Sequence, residues 1–176
     1  IMAGDIVKYF KNGTQYTVKV TDLDGNPVSG QKVEVKLNSA TWSKQAYYNI
    51  TTDGNGTATL AINLSPGQYT AEVKIGSDTV QSKIIVLPTL TSENLIKPVN
   101  QPGDLVAKLV DGQGNPASGK TLTFTVKTKT YTKTTDSNGL ASLPINLGVG
   151  TWTIDIANPE TGAKATAKVF IAKAKT

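Results

Sequence analysis

The chain carries one pattern twice, and that repetition constrains its fold more than any other feature. At an offset of 89 residues, Lys8 meets Lys97, Asp22 meets Asp111, Asn26 meets Asn115, Pro27 meets Pro116 and Gly30 meets Gly119. Past that point the offset becomes 83, and Thr51-Thr52-Asp53-Gly54-Asn55-Gly56 matches Thr134-Thr135-Asp136-Ser137-Asn138-Gly139. Ala58, Leu60, Ile62, Asn63, Leu64 and Gly67 then match Ala141, Leu143, Ile145, Asn146, Leu147 and Gly150. A repeat of this length is one supersecondary or domain unit used again. Two domains are expected, residues 1–88 and 89–176, joined by a short linker around residues 87–92. Pro88 lies in that linker and restricts it.

Each copy alternates apolar and polar residues with a period of two, as a half-buried strand does. Tyr16, Val18 and Val20 alternate with Thr17, Lys19 and Thr21. Leu122, Phe124 and Val126 alternate with Thr121, Thr123 and Thr125. No helical period of useful length interrupts them. About seven strands per copy, with turn signals at short intervals, predict an all-β chain. The expected architecture is two tandem immunoglobulin-like antiparallel β-sandwiches. Tyr69 and Trp152 occupy matching positions and are the expected aromatic plugs between sheets.

Composition narrows the chemistry. The 176 residues include no His and no Cys, and all 18 basic residues are Lys. That removes nucleophile–His pairs, His-based metal sites and the bidentate Arg fork. A catalyst would have to run on carboxylates and Lys alone, so a non-catalytic protein without cofactor is expected. The net charge of +5 is modest, and its Lys residues alternate with Thr, as in residues 128–134. That arrangement reads as a charged strand edge that resists aggregation, not as a nucleic-acid site. The chain opens Ile-Met-Ala-Gly and shows no secretion signal, long apolar stretch or anchoring tail. It therefore reads as a piece of something larger, with no direct membrane insertion of its own.

Several residues invite a functional reading. Asp22, Asp24 and Asn26 have the spacing that opens a calcium loop, but no bidentate carboxylate follows at the required distance. The second copy has Gln113 where the first has Asp24. A turn explains the motif better, since Gly and Asn supply positive φ and Pro fixes the next residue. The first copy is six residues longer in its middle, and the added stretch carries Trp42, Tyr47 and Tyr48. These would offer stacking surfaces to a sugar or polymer if they project outward, and would serve the core if they do not. Sequons place candidate glycosylation sites at Asn12, Asn49 and Asn55. A fourth, at Asn63, recurs as Asn146 without the sequon, which points to a structural role.

The string KYFKNGTQYTVKVTDLDGNPVSG, with TTDGNGTATLAINLSPGQYT after it, resembles the tandem bacterial Ig-like repeats of adhesin-like surface proteins. It is most similar to those of methanogenic archaea. The second copy is looser, with Val149 in place of Pro66. The resemblance implies an extracellular, cell-surface stalk or adhesive module in cell adhesion. Its implied neighbours are further Ig-like repeats of the same chain, and its implied partner is a polysaccharide or protein of another cell. The alternative is a carbohydrate- or protein-binding module using the first-copy aromatics. Some such surface domains also join a Lys to an Asn by an isopeptide bond, which makes Lys8 and Lys97 of interest. The collagen-adhesin pattern of that bond, with its Asn or Asp on the last strand, is absent here.

Overall fold

A computed structural model describes residues 1–174 of the chain. They form two compact units, Ile1–Leu87 and, from Pro88 onward, a second. The first unit contains β1 (Ile6–Tyr9), β2 (Tyr16–Lys19), β3 (Lys32–Asn38), β4 (Ala46–Thr51), β5 (Thr57–Leu60), β6 (Gly67–Ile75) and β7 (Asp78–Leu87). The second contains β8 (Leu90–Ser92), β9 (Leu95–Pro98), β10 (Asp104–Leu109), β11 (Thr121–Val126) and β12 (Lys129–Thr134). It closes with β13 (Leu140–Pro144), β14 (Gly150–Asn158) and β15 (Ala163–Ala172). The chain is all-β, and each unit is an immunoglobulin-like sandwich of two sheets. One sheet of the first unit runs β1-β7-β6-β3-β4, facing the pair β2-β5. The second unit has β12-β11-β14-β15-β9 facing β13-β10-β8.

Alternation becomes burial. β10 reads exposed-buried throughout, and in β3 Val33, Val35 and Leu37 turn inward. The first core gathers Tyr16, Val18, Val35, Leu37, Ala71, Val73, Ile84 and Val86. The second unit buries Leu105, Leu122, Phe124, Ile154, Ile156, Val169 and Ile171 in the corresponding way. One polar pair distinguishes the cores. Tyr16 and Ser82 share a 2.6 Å hydrogen bond, and Ser82 Oγ donates to Ala3 O at 2.9 Å. The repeat replaces both at once, with Leu105 and Ala167. Removing one partner alone would strand a buried polar atom, whereas exchanging both for apolar groups leaves none.

The pairing departs from a purely antiparallel sandwich at one place in each unit. β1 runs parallel to β7, and β9 runs parallel to β15. The cause is a first strand that changes sheets. Met2 bridges Lys19 of the smaller sheet before the chain crosses to β7; β8 pairs β10 before the chain crosses to β15. A side-chain oxygen anchors each crossing to the last strand. Asp5 Oδ1 accepts from the Lys83 amide at 2.7 Å, and Asn94 Oδ1 accepts from the Lys168 amide at 2.8 Å.

The twice-used GNP turn is held by its own Asp. Asp22 Oδ1 accepts from the amides of Asp24 and Asn26, both at 2.9 Å. Asp111 does the same for Gln113 and Asn115. The later turn repeats the device with Asp53 and Asp136. The two turns of a unit also abut. Gly56 and Gly139 have φ of +74° and +75°. A Cβ there would lie 2.6 Å from Val20 O and 2.3 Å from Leu109 O. Both the left-handed backbone and the close approach demand glycine. Gly54, with nothing within 4 Å, has neither constraint. Gly56→Ala is therefore expected to cost about 2–3 kcal/mol in urea unfolding, whereas Gly54→Ala stays within about 0.5 kcal/mol. Equal losses for the two would contradict the abutting-turn account.

Candidate functional site

The residues with cation-like spacing are occupied by the backbone. Asp22 spends its Oδ1 on two amides, and its own carbonyl accepts from Gly25 at 3.1 Å. A carboxylate oxygen used this way closes an Asx turn. Asp24 and Asn26 stand exposed beside it, and it is their backbone amides that the Asp22 carboxylate takes. Among the described residues, no group of three or more Asp, Glu, His or Cys could hold a metal ion.

The three aromatics of the longer first-unit segment separate. Trp42 is half-buried and packs on Tyr69, with ring centroids 5.4 Å apart at 56°. It belongs to the rim of the core rather than to a free platform. Tyr47 and Tyr48 are adjacent on β4, so their side chains leave opposite faces of the sheet. Tyr47 is 60% exposed and Tyr48 is 39% exposed. Trp42, Tyr47 and Tyr48 therefore form no single stacking surface. Tyr69 and Trp152 act as a latch more than as equivalent plugs. Tyr69 Oη donates to Ser65 O at 2.6 Å, and Trp152 Nε1 donates to Gly148 O at 2.9 Å. Each ties its strand to the carbonyl four residues upstream, as a tyrosine corner does. Tyr69 is buried, but Trp152 is only half-buried, under the ammonium of Lys127 at 5.0 Å.

One concave feature of the first unit lies beside the residues connecting β3 to β4. A groove of about 270 Å³ is lined by Asn38, Ser39, Gln68, Tyr69, Thr70 and Lys83. Amides, hydroxyls, one ammonium and an aromatic edge give it hydrogen-bonding capacity without any nucleophile–base pair. In the second unit β11 and β12 are separated only by residues 127 and 128, so the equivalent wall is missing. Sequence reading singled out the aromatics of the longer segment and missed Asn38, Gln68, Thr70 and Lys83. Their signal was faint: outward positions of three separate strands, brought side by side only by sheet pairing.

Lys8 and Lys97 are each only 5% exposed. Lys8 Nζ donates to Ile62 O at 2.7 Å and to Thr14 O at 3.2 Å. Lys97 Nζ donates to Gln101 O. Both ammonium groups thus fasten the chain after the parallel strand by binding carbonyls. Of the sequon residues, Asn49 and Asn55 are exposed, and Asn12 is half-buried with its Oδ1 accepting from the Thr14 amide and hydroxyl.

Burial pushes the Lys8 ammonium below its usual 10.5. Between that lowered value and 10.5 the unfolded chain holds more protons than the folded one, so stability rises with pH across this window. Urea melts at successive pH values up to 10.5 should show wild type gaining stability relative to Lys8→Met. A pH-independent difference would remove Lys8 as the source.

Residues 4–85 match the family model described as Macroglobulin domain MG4. Among solved structures, the chain is similar to the D0-D1 domain of intimin, at 20% identity and a TM-score of 0.41, covering 96% of this chain and 98% of that one. It is also similar to invasin, a bacterial integrin-binding protein, at 18% identity and a TM-score of 0.34, covering 91% of this chain and 36% of that one. A third is a Ca2+-stabilized adhesin with which an Antarctic bacterium binds ice, at 16% identity and a TM-score of 0.35. That match covers 97% of this chain and 47% of the adhesin.

Proposed function

We propose that this chain is a non-catalytic, load-bearing pair of Ig-like domains from a cell-surface, adhesin-like protein. The observation that carries the reading is the parallel pairing of the first long strand of each unit with its last. Ile6, Val7, Lys8 and Tyr9 lie beside Ile84, Ile85, Val86 and Leu87. Leu95 to Pro98 lie beside Val169 to Ala172 in the same manner. Tension along the chain draws two parallel neighbours in opposite directions. Their hydrogen bonds are then loaded together in shear instead of opening one at a time. The bond just past each ladder recurs as well: Phe10 N–H donates to Leu87 O at 2.9 Å, and Val99 N–H to Ala172 O at 2.8 Å.

Such a unit suits a stalk or adhesive module, which passes force from an adhesion contact to a cell envelope. The motif resemblance to archaeal adhesin-like repeats supports a cell-surface and extracellular placement. Neighbouring repeats in the same chain, and a polysaccharide or protein of another cell, are the proposed partners. Glycans at Asn49 and Asn55 would extend into solvent. A second reading, a carbohydrate-binding module in the first unit, is favoured by the groove beside Trp42 and Tyr69.

Single-molecule pulling from the two termini tests the leading reading. Both units should resist strongly, and Phe10→Pro and Val99→Pro should each lower the rupture force of their own unit, since proline deletes the donor. Rupture from the termini at a force no higher than when the first unit is pulled from β1 and β4 would refute a shear clamp. Antibodies to the chain should label intact cells of the source organism. Titration with glycans tests the second reading, which requires a shift in Trp emission that Trp42→Phe abolishes.

A further inference from the structure

Both units end a sheet with the equivalent strand, β4 in the first and β12 in the second. The repeat aligns Ala46 with Lys129, Tyr47 with Thr130, Tyr48 with Tyr131, Asn49 with Thr132, Ile50 with Lys133 and Thr51 with Thr134. The two lysines that guard β12 are thus an alanine and an isoleucine in β4, which carries no charge at all. Sheet edges attract pairing unless charge or proline blunts them, and lysine is the usual guard. One edge of this protein is guarded and its duplicate is not.

We propose that β4 is a self-association edge, at which two copies of the chain pair antiparallel and continue one sheet into the next. The backbone sets the register. Thr52 N–H donates to Gln31 O at 3.0 Å, which makes Lys32 and Thr51 a non-hydrogen-bonded pair in the β3–β4 ladder. By alternation, Tyr47, Asn49 and Thr51 turn their amides and carbonyls away from β3. A twofold axis through Tyr48 sets Tyr47 of one copy against Asn49 of the other, so the outward groups satisfy one another. Tyr48 then faces Tyr48, and Ala46 faces Ile50. Those residues share the core-side face with Val33, Val35 and Leu37, so the apolar stripe continues across the contact. The arrangement is self-complementary, as a twofold interface must be. In the same register β12 would set Lys129 against Lys133, a like-charge pair on both sides of the axis. The second copy is therefore the occupant that β4 fits and β12 rejects. This proposal does not depend on the surface-stalk reading.

The test uses the full chain made in a host without N-glycosylation, so that Asn49 is bare. Sedimentation velocity from about 10 µM to about 1 mM should show a monomer–dimer equilibrium. Ala46→Lys/Ile50→Lys, which imports the β12 guards into a position where the fold already accepts them, should weaken dimerisation about tenfold or more. Asn49→Pro is the second variant, because it removes an outward N–H without touching the β3 ladder. The chain has no Cys of its own. Tyr48→Cys should thus give a disulfide-linked dimer under mild oxidation, since facing residues of a non-hydrogen-bonded pair lie within disulfide reach. Tyr131→Cys is the control, at 42% exposure against 39% for Tyr48. Wild type that stays monomeric over the whole range overturns the proposal, as do equal cross-linking rates for the two cysteine variants. A dimer that both β4 variants leave unweakened overturns it too.

Discussion

Side-chain oxygens that bind backbone amides hold this fold in register. Thr52 is the central example. Its hydroxyl donates to Val28 O at 2.6 Å and accepts from the Gln31 amide at 2.8 Å. Thr135 repeats both bonds with Ala117 and Lys120. Both threonines are buried, so each bond forms where an unpaired polar atom would be costly. Around them the four Asp-capped turns fix where strands stop. Register follows from those stops, and a slip by one residue would turn every core side chain outward. The sandwich cores depend on polar atoms at their ends as much as on apolar atoms at their centre.

The same economy ties up the acids and lysines that recur in both units. Asp22, Asp53, Asp111 and Asp136 are spent on amides. Lys8 and Lys97 are spent on carbonyls. The groove beside Tyr69 and the outer edge of β4 lie open at the surface of the first unit. Both are surfaces suited to contact with another molecule.

Much of this was legible in the residues. The duplication, the strand period and the turn chemistry of Asp-Gly and Asn-Gly pointed to two all-β units, because period and turn preference are local properties. The role of Asp22 was half legible. Its replacement-tolerant neighbour Asp24 argued against a cation, but only the structure showed which amides the oxygen takes. The aromatics were harder. Trp42, Tyr47 and Tyr48 are close in sequence, yet one packs on Tyr69 and the others diverge. Where a side chain points depends on pairing partners far along the chain. Asn38, Thr70 and Lys83 share a row, with Gln68 next along β6, only through the pairing of β3, β6 and β7, and nothing local marks them.

The residues alone determined that this chain forms strands, where those strands turn, and that the plan is used twice. Alternation and glycine-bearing turns act over a few residues and need no partner to be read. Tertiary structure alone decided that the first strand of each unit crosses sheets to lie parallel to the last. Strand direction in a sheet is a long-range choice, accompanied here by Asp5 and Asn94 bonding to strands more than seventy residues away. It also decided that β4 and β12 are edges. A lysine in an alternating strand has no special meaning until the sheet shows which strand has no neighbour.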